Sequence, residues 1–289
     1  MHCCLLSILF LTLVAAGPST TTAPATTITA TQPALSGLLA GAKEQMDAGD
    51  LLAARTTLND AVAAGSLAPV DQVMAKQLLG QISEKMIFSP LRFNEDPFAG
   101  KYTVQKGDIL AKIAASNNIT TTFLARINRI SDPRKVRLGA TLKTIKGPFH
   151  AIVTKHAFTM DIFLGEPNKP GALLVLSLPV GLGRDDSTPT GVWMCEPHQK
   201  LKNPTYFSPR GDGVIEAGDP KNPLGGYWIG LTGLDGHASG KKSYGVHGTI
   251  DAESIGTQSS LGCIRLRRED IALVFDLLVD GKSTVTVRD

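Results

Sequence analysis

The chain is short of charge, cysteine and aromatic rings, and each shortage closes off a class of function. Charged residues make up 19% of the 289, while apolar residues reach 43%. A chain so composed has the apolar surface to offset its ordering entropy and is not disordered throughout. The four cysteines are Cys3, Cys4, Cys195 and Cys263. Two of them lie at the extreme N-terminus, so a disulfide-dense secreted scaffold is excluded. No CxxC pair is present to hold a structural zinc. The longest early apolar run, Leu5–Val14, is about half of what a membrane-spanning helix needs. The net charge is only +3, too little by itself to argue for a nucleic-acid partner.

What charge there is lies unevenly. Residues 1–100 carry 5 basic and 8 acidic groups, 101–148 carry 10 and 2, and 149–289 carry 14 and 16. A basic segment therefore sits between two mildly acidic ones. Phe123 is the one aromatic between Lys112 and Lys146, and its helical spacing marks it as core. Without rings for base stacking, the basic segment does not read as a nucleic-acid site.

The apolar run is followed by Ala15, Ala16 and Gly17, small residues that suit signal peptidase. We read residues 1–16 as a signal peptide and 17–34, almost all Thr, Ala, Pro and Ser, as an extended linker. After cleavage no membrane span is expected. Residues 35–88 form a helical segment. Leu35, Leu38, Leu39, Ala42 and Met46 recur at helical spacing. Asp50 caps a second helix that Gly65 closes. Pro69 opens a third, with Val73, Met74, Leu78, Ile82 and Met86 as its apolar stripe. This is a spacer or docking bundle rather than a repeat array, which needs at least three units.

Between residues 100 and 146 the pattern is strand, helix, helix, strand. Tyr102, Val104 and the turn Gly107-Asp108 end the first strand; Leu110, Ile113 and Ala114, then Phe123, Leu124 and Ile127, mark two short helices. The run Tyr102-x-Val104-x-x-Gly107-Asp108-x-Leu110-x-x-Ile113-Ala114, with Asn128 and Gly139-x-x-Leu142, resembles the LysM family. That resemblance implies binding to N-acetylglucosamine-containing glycan strands, at the turns near Gly107, Asp108, Ile109 and Leu110 and near Ile130–Val136, where Arg134 lies. Arg126, Arg129, Arg134, Lys135 and Arg137 gather around the second turn and would attract an anionic wall polymer.

From residue 149 to 289, β-branched and apolar runs alternate with Gly and Pro. Strands are expected at Ala151–Val153, Phe158–Leu164, Leu173–Val180, Gly191–Cys195, Tyr227–Leu231, Tyr244–His247 and Val285–Val287, with one helix at Glu269–Val279. The fold class is thus multidomain α and β, ending in a mainly-β domain, sandwich- or barrel-like, with one C-terminal helix. A thiolate nucleophile needs a base or a depressed pKa. Cys263, in Ser260-Leu261-Gly262-Cys263-Ile264-Arg265, has a basic residue two positions on, and His247 is the natural base. Cys195 alternates within a strand and reads as a core thiol. A Cys195–Cys263 disulfide remains open. His198 and His237 read as surface residues, and the Gly/Pro-rich Lys200–Lys221 as a lid. Trp193, Tyr227 and Trp228 read as core before groove.

His247-Gly248-Thr249, Gly256 and Ser260-x-Gly262-Cys263-Ile264-Arg265 resemble the signature of the L,D-transpeptidase (YkuD-type) catalytic family. Thr188-Pro189-Thr190-Gly191-Val192-Trp193 and Asn222-Pro223-Leu224-Gly225 match it as well. Many members have His where this chain has Leu261. The resemblance implies a peptidoglycan cross-linking enzyme of the cell envelope, periplasm or wall, acting on stem peptides through a Cys263 thioester with release of D-alanine. His247 would be the base, oriented by the Gly248 carbonyl. Backbone N–H groups around Gly262 and Cys263 would hold the oxyanion, with Ser260 and Arg265 at the substrate. No metal or organic cofactor is required. An L,D-carboxypeptidase at the same site and a non-catalytic wall-binding protein are the alternatives.

Overall fold

A computed structural model describes residues 36–289 except 94, 210 and 212; the expected signal peptide and linker lie outside the described residues. The helical segment comprises α1 (Gly37–Asp47), α2 (Leu51–Ala64) and α3 (Pro69–Met86). Asp50 accepts the Ala53 N–H at 3.1 Å, and Gly65 ends α2 with φ +63°, as the cap residues predict. The stripe of α3 holds at Leu78, Ile82 and Met86, with Met74 packed against the core, and departs from expectation at Val73. Val73 is exposed, and Ala75, Leu78, Leu79, Ile82 and Met86 face the core, because α3 packs on both α2 and the sheet below it.

The basic module follows as β1 (Ala99–Thr103), α4 (Leu110–Ser116), α5 (Thr121–Ile127) and β2 (Thr141–Ile145), with β1 and β2 antiparallel. Its charge is not all outward. Lys143 is buried, and its Nζ donates to the Met86 and Ser89 carbonyls at 2.6 and 2.8 Å, capping the end of α3. Burial lowers its pKa to about 8.

The last segment contains β3 (Phe149–Thr154), β4 (Thr159–Leu164), β5 (Leu173–Pro179), β6 (Leu182–Gly183), β7 (Gly191–Lys202), β8 (Tyr206–Phe207), β9 (Val214–Ile215), β10 (Tyr227–Gly233), β11 (Tyr244–His247), β12 (Gln258–Ser260), β13 (Ile264–Arg265), α6 (Arg268–Leu277) and β14 (Thr284–Arg288). Eight of these strands form one mixed sheet in the order β13-β11-β10-β7-β14-β3-β4-β5. The sheet curls until its two edges meet. Just past β5, Gly181 bridges Arg265 of β13 through N–H···O bonds of 2.9 and 2.8 Å. The arrangement is barrel-like, with β7 reaching seven residues beyond its expected end.

The helical segment is docked on this sheet. Asn59 of α2 accepts the Leu174 N–H at 3.0 Å and donates to the Ala172 carbonyl at 3.1 Å, so its amide takes the place of a neighbouring strand along β5. Lys76 of α3 pairs with Asp161 of β4 at 2.6 Å. The aromatic rings of Phe88, Phe123 and Phe149 meet edge to face in series, at 6.3 and 5.2 Å, and join all three segments in one core.

Candidate active site

The site is built by strand register. β11 and β13 run parallel, with Val246 opposite Ile264 and His247 opposite Arg265. This places Cys263, just before β13, alongside the strand that ends in His247. The turn 260–263 is braced from within: Ser260 Oγ donates to the Cys263 carbonyl at 2.6 Å and accepts the Gly262 N–H at 3.1 Å. Gly262 has φ +123°, and a Cβ there would lie 2.7 Å from the Tyr244 ring, so only glycine fits. Thr188, buried, ties the turn to β6 by donating to the Gly262 carbonyl at 3.1 Å and accepting the Gly183 N–H at 2.8 Å. That linkage gives the upstream Thr188 run its structural reason.

His247 is buried, and its Nδ1 lies 2.6 Å from the Gly248 carbonyl. A carbonyl only accepts, so Nδ1 carries the proton and Nε2 is left as the base. Burial lowers the His247 pKa to about 4, against the Gly248 hydrogen bond. Burial pushes the Cys263 thiol up, opposed by a backbone hydrogen bond from Gly245 and by the Arg265 charge. The resting pair is therefore a neutral thiol and a neutral imidazole. Trp228 stacks on the His247 ring with centroids 5.9 Å apart and planes at 22°. The β10–β11 register sets the two opposite each other.

These groups open into a cavity of about 780 Å³ whose wall includes Trp228, Tyr244, His247, Ser260, Cys263 and Arg265. Leu261, half exposed, stands on the same wall. Tyr206 and Phe207 reach it from the β8–β9 hairpin, within the expected lid. The start of that lid is structural instead: Lys200 donates to the Phe275 and Leu278 carbonyls of the α6 end.

Several site expectations are corrected. The Gly262 N–H is spent on Ser260, whereas the Cys263 N–H has no partner among the described residues. Ser260 is buried and braces the turn through its hydroxyl while it lines the cavity. Trp228 belongs to the site rather than to the core, Tyr227 packs on Phe275 at 5.0 Å, and Trp193 is core. Cys195 is buried, with its thiol pushed up to about 12 by burial. Both Cys195 and Cys263 are free thiols. His198 and His237 lie off the cavity wall, His237 against Thr190 at 2.9 Å. Among the described residues no cluster of three or more His, Cys, Asp or Glu is arranged to hold a metal.

In the basic module the Gly139 N–H donates to the Val104 carbonyl at 2.9 Å, which ties the start of the returning strand to the end of the first. Gly107 takes φ +88° in the first turn. Asp108 holds that turn by accepting from Tyr102 Oη and the Gln105 N–H. Leu110 is buried in the module core, which removes its side chain from any surface groove. Ile109 and Leu138 are exposed, and Arg134 pairs with Asp132 at 3.0 Å.

Residues 155–287 match the family profile of the L,D-transpeptidase catalytic domain (YkuD), and residues 102–144 match that of the LysM domain. Among relatives, YqjB of Bacillus subtilis (strain 168), which carries an L,D-transpeptidase name, is 35% identical over 36% of this chain and 54% of its own length. YkuD of the same organism, likewise so named, is 25% identical over 62% of this chain and 94% of its own. ErfK/SrfK of Escherichia coli (strain K12) is 31% identical over 61% and 54%. The chain thus spans about half the length of YqjB and of ErfK/SrfK. No helix among the described residues is long and apolar enough to cross a membrane.

Proposed function

We propose that this chain is a secreted cell-envelope L,D-transpeptidase that forms a thioester on Cys263 and is held on peptidoglycan by its LysM domain. The observation that carries the reading is the His247 imidazole, its Nδ1 held by the Gly248 carbonyl, on one cavity wall with the Cys263 thiol. His247 Nε2 takes the thiol proton as Sγ attacks the carbonyl of the third residue of a tetrapeptide stem. The proton passes to the departing D-alanine amine. An acceptor amine then attacks the thioester, gives its proton to His247, and the sulfur leaves as thiol. The unpartnered Cys263 N–H is the oxyanion donor, a role worth roughly 3 to 4 kcal/mol at comparable sites. Thiol and imidazole both start uncharged, so the ion pair forms only as the substrate arrives. With Leu261 in place of a second imidazole, His247 is the one imidazole on this wall among the described residues.

The test is intact-mass spectrometry of the protein with a disaccharide-tetrapeptide, with products analysed alongside. An adduct on Cys263 and a cross-linked dimer are expected. Tripeptide and D-alanine alone would move the reading to an L,D-carboxypeptidase. Cys263→Ala should abolish the adduct and leave glycan binding intact; D-alanine exchange by that variant would overturn the mechanism.

A further inference from the structure

We propose that Glu196 forms a subsite for a free primary ammonium group on the peptide substrate; the identity of that peptide rests on the transpeptidase reading above. The starting point is an irregularity in the sheet. Cys195 of β7 lies opposite Leu231 of β10, and Lys200 lies opposite Ile229. Two residue steps on β10 face five on β7, so residues 196–199 leave the ladder. His198 takes φ +61°, and its N–H donates to Asp280 at 3.2 Å, which holds the displaced segment. Gly230 sits opposite, and a Cβ there would lie 2.7 Å from Gln199 Cβ. Bulges beside active sites serve to re-aim side chains.

The side chain aimed here is Glu196. Cys195 points into the core, and its neighbour turns to the cavity that contains Cys263 and His247. Glu196 is the one carboxylate on that wall among the described residues, and no hydrogen bond or ion pair satisfies it. A carboxylate partly withdrawn from water attracts a compact cation with donors to offer. Lys242 and Arg265 stand on the same wall without an acidic partner, and they suit the carboxylates of the same peptide. The wall is thus laid out for a ligand with both signs of charge. Two groups on stem peptides supply the ammonium: the side-chain amine of the donor's diamino acid, and the amine of the acceptor.

The experiment uses the full chain and two tetrapeptide donors that differ only in whether the side-chain amine is free or acetylated. Acylation of Cys263 by the free-amine donor should be favoured about tenfold, the size of a single charge-assisted contact, and Glu196→Gln should reduce that ratio to about one. If acylation ignores the amine but Glu196→Gln lowers the ratio of dimer to hydrolysed product, the subsite holds the acceptor. If neither ratio responds to Glu196→Gln, the proposal is overturned. A second measurement separates this from failure of the transpeptidase reading. Cys263 is modified with a methanethiosulfonate bearing an aminoethyl or a neutral ethyl group. A cationic preference that Glu196→Gln removes keeps the subsite even if no donor acylates the thiol; equal rates in the wild-type protein overturn it.

Discussion

Cys263 and His247 illustrate how burial controls chemistry one residue at a time. Burial drives both away from their charged forms. The consequence for pH follows from the sign. His247 titrates near 6.5 unfolded and about 4 folded, so between those values the unfolded chain binds a proton that the native protein refuses. Stability contributed by the neutral ring is complete above about 6.5 and is lost as pH falls toward 4. His150, also lowered by burial, adds to the same slope. Denaturant titrations across this range should show falling stability, with a smaller slope in His247→Asn; an unchanged slope in that variant would mean the ring is not buried neutral. The acid limb of thiol acylation should likewise fall near pH 4 rather than 6.5. A limb near 6.5, read from adduct formation by mass spectrometry, would place the working imidazole in water. Cys195, pushed to about 12, should stay unlabelled throughout.

At the scale of elements, the edge of the sheet is the exposed flank. β5 ends the eight-stranded order and would offer unpaired backbone groups to any passing chain. The Asn59 side chain covers part of it with two hydrogen bonds to the Ala172–Leu174 backbone. Asn59→Ala leaves both groups without that partner, and a loss of about 1 to 3 kcal/mol is expected. Hydrogen exchange should show faster exchange at the Leu174 amide, with the Cys263 turn unaffected. Equal protection in wild type and variant would show that α2 does not guard the edge. The helical segment, read from sequence as a spacer or docking bundle, thus has a specific task. Its caps were legible because Asp50 and Gly65 act locally. The exposure of Val73 on α3 was not, because two neighbours compete for that helix and periodicity cannot say which lies closer.

At the scale of the whole molecule, the basic module is fastened to the C-terminal sheet domain rather than strung beside it. Arg126 pairs with Asp276 of α6 at 2.7 Å, Thr120 Oγ1 donates to the Asp276 carbonyl, and Lys282 meets Asn118 at 2.7 Å. Arg55 and Asp96 form a buried, two-pronged pair at 2.9 and 2.8 Å that holds the segment leading into the module. Removing one partner of such a pair costs about 3 to 5 kcal/mol, since a buried charge is left uncompensated. With a continuous core beneath these contacts, calorimetry should record one cooperative transition. Two resolved transitions would show that the module folds independently. On the proposed function, a module fixed in this way would present glycan at one orientation to the Cys263 cavity, whereas a flexible tether would supply only proximity.

The chemistry-bearing residues were determined by sequence alone. His247, Gly262, Cys263 and Arg265 occur in one short, specifically spaced stretch, and the module's turns are marked by Gly107, Asp108 and Gly139. Local chemistry of that kind survives without knowledge of the fold. What only the tertiary structure decided was the company each residue keeps. Trp228 joins the site because β10 lies beside β11, Thr188 supports the Cys263 turn across 74 residues, and the Gly262 N–H is spent on Ser260. Glu196 faces the cavity because β7 bulges where Gly230 makes room. Each depends on strand register, and register is settled by long-range packing that no single stretch of sequence encodes.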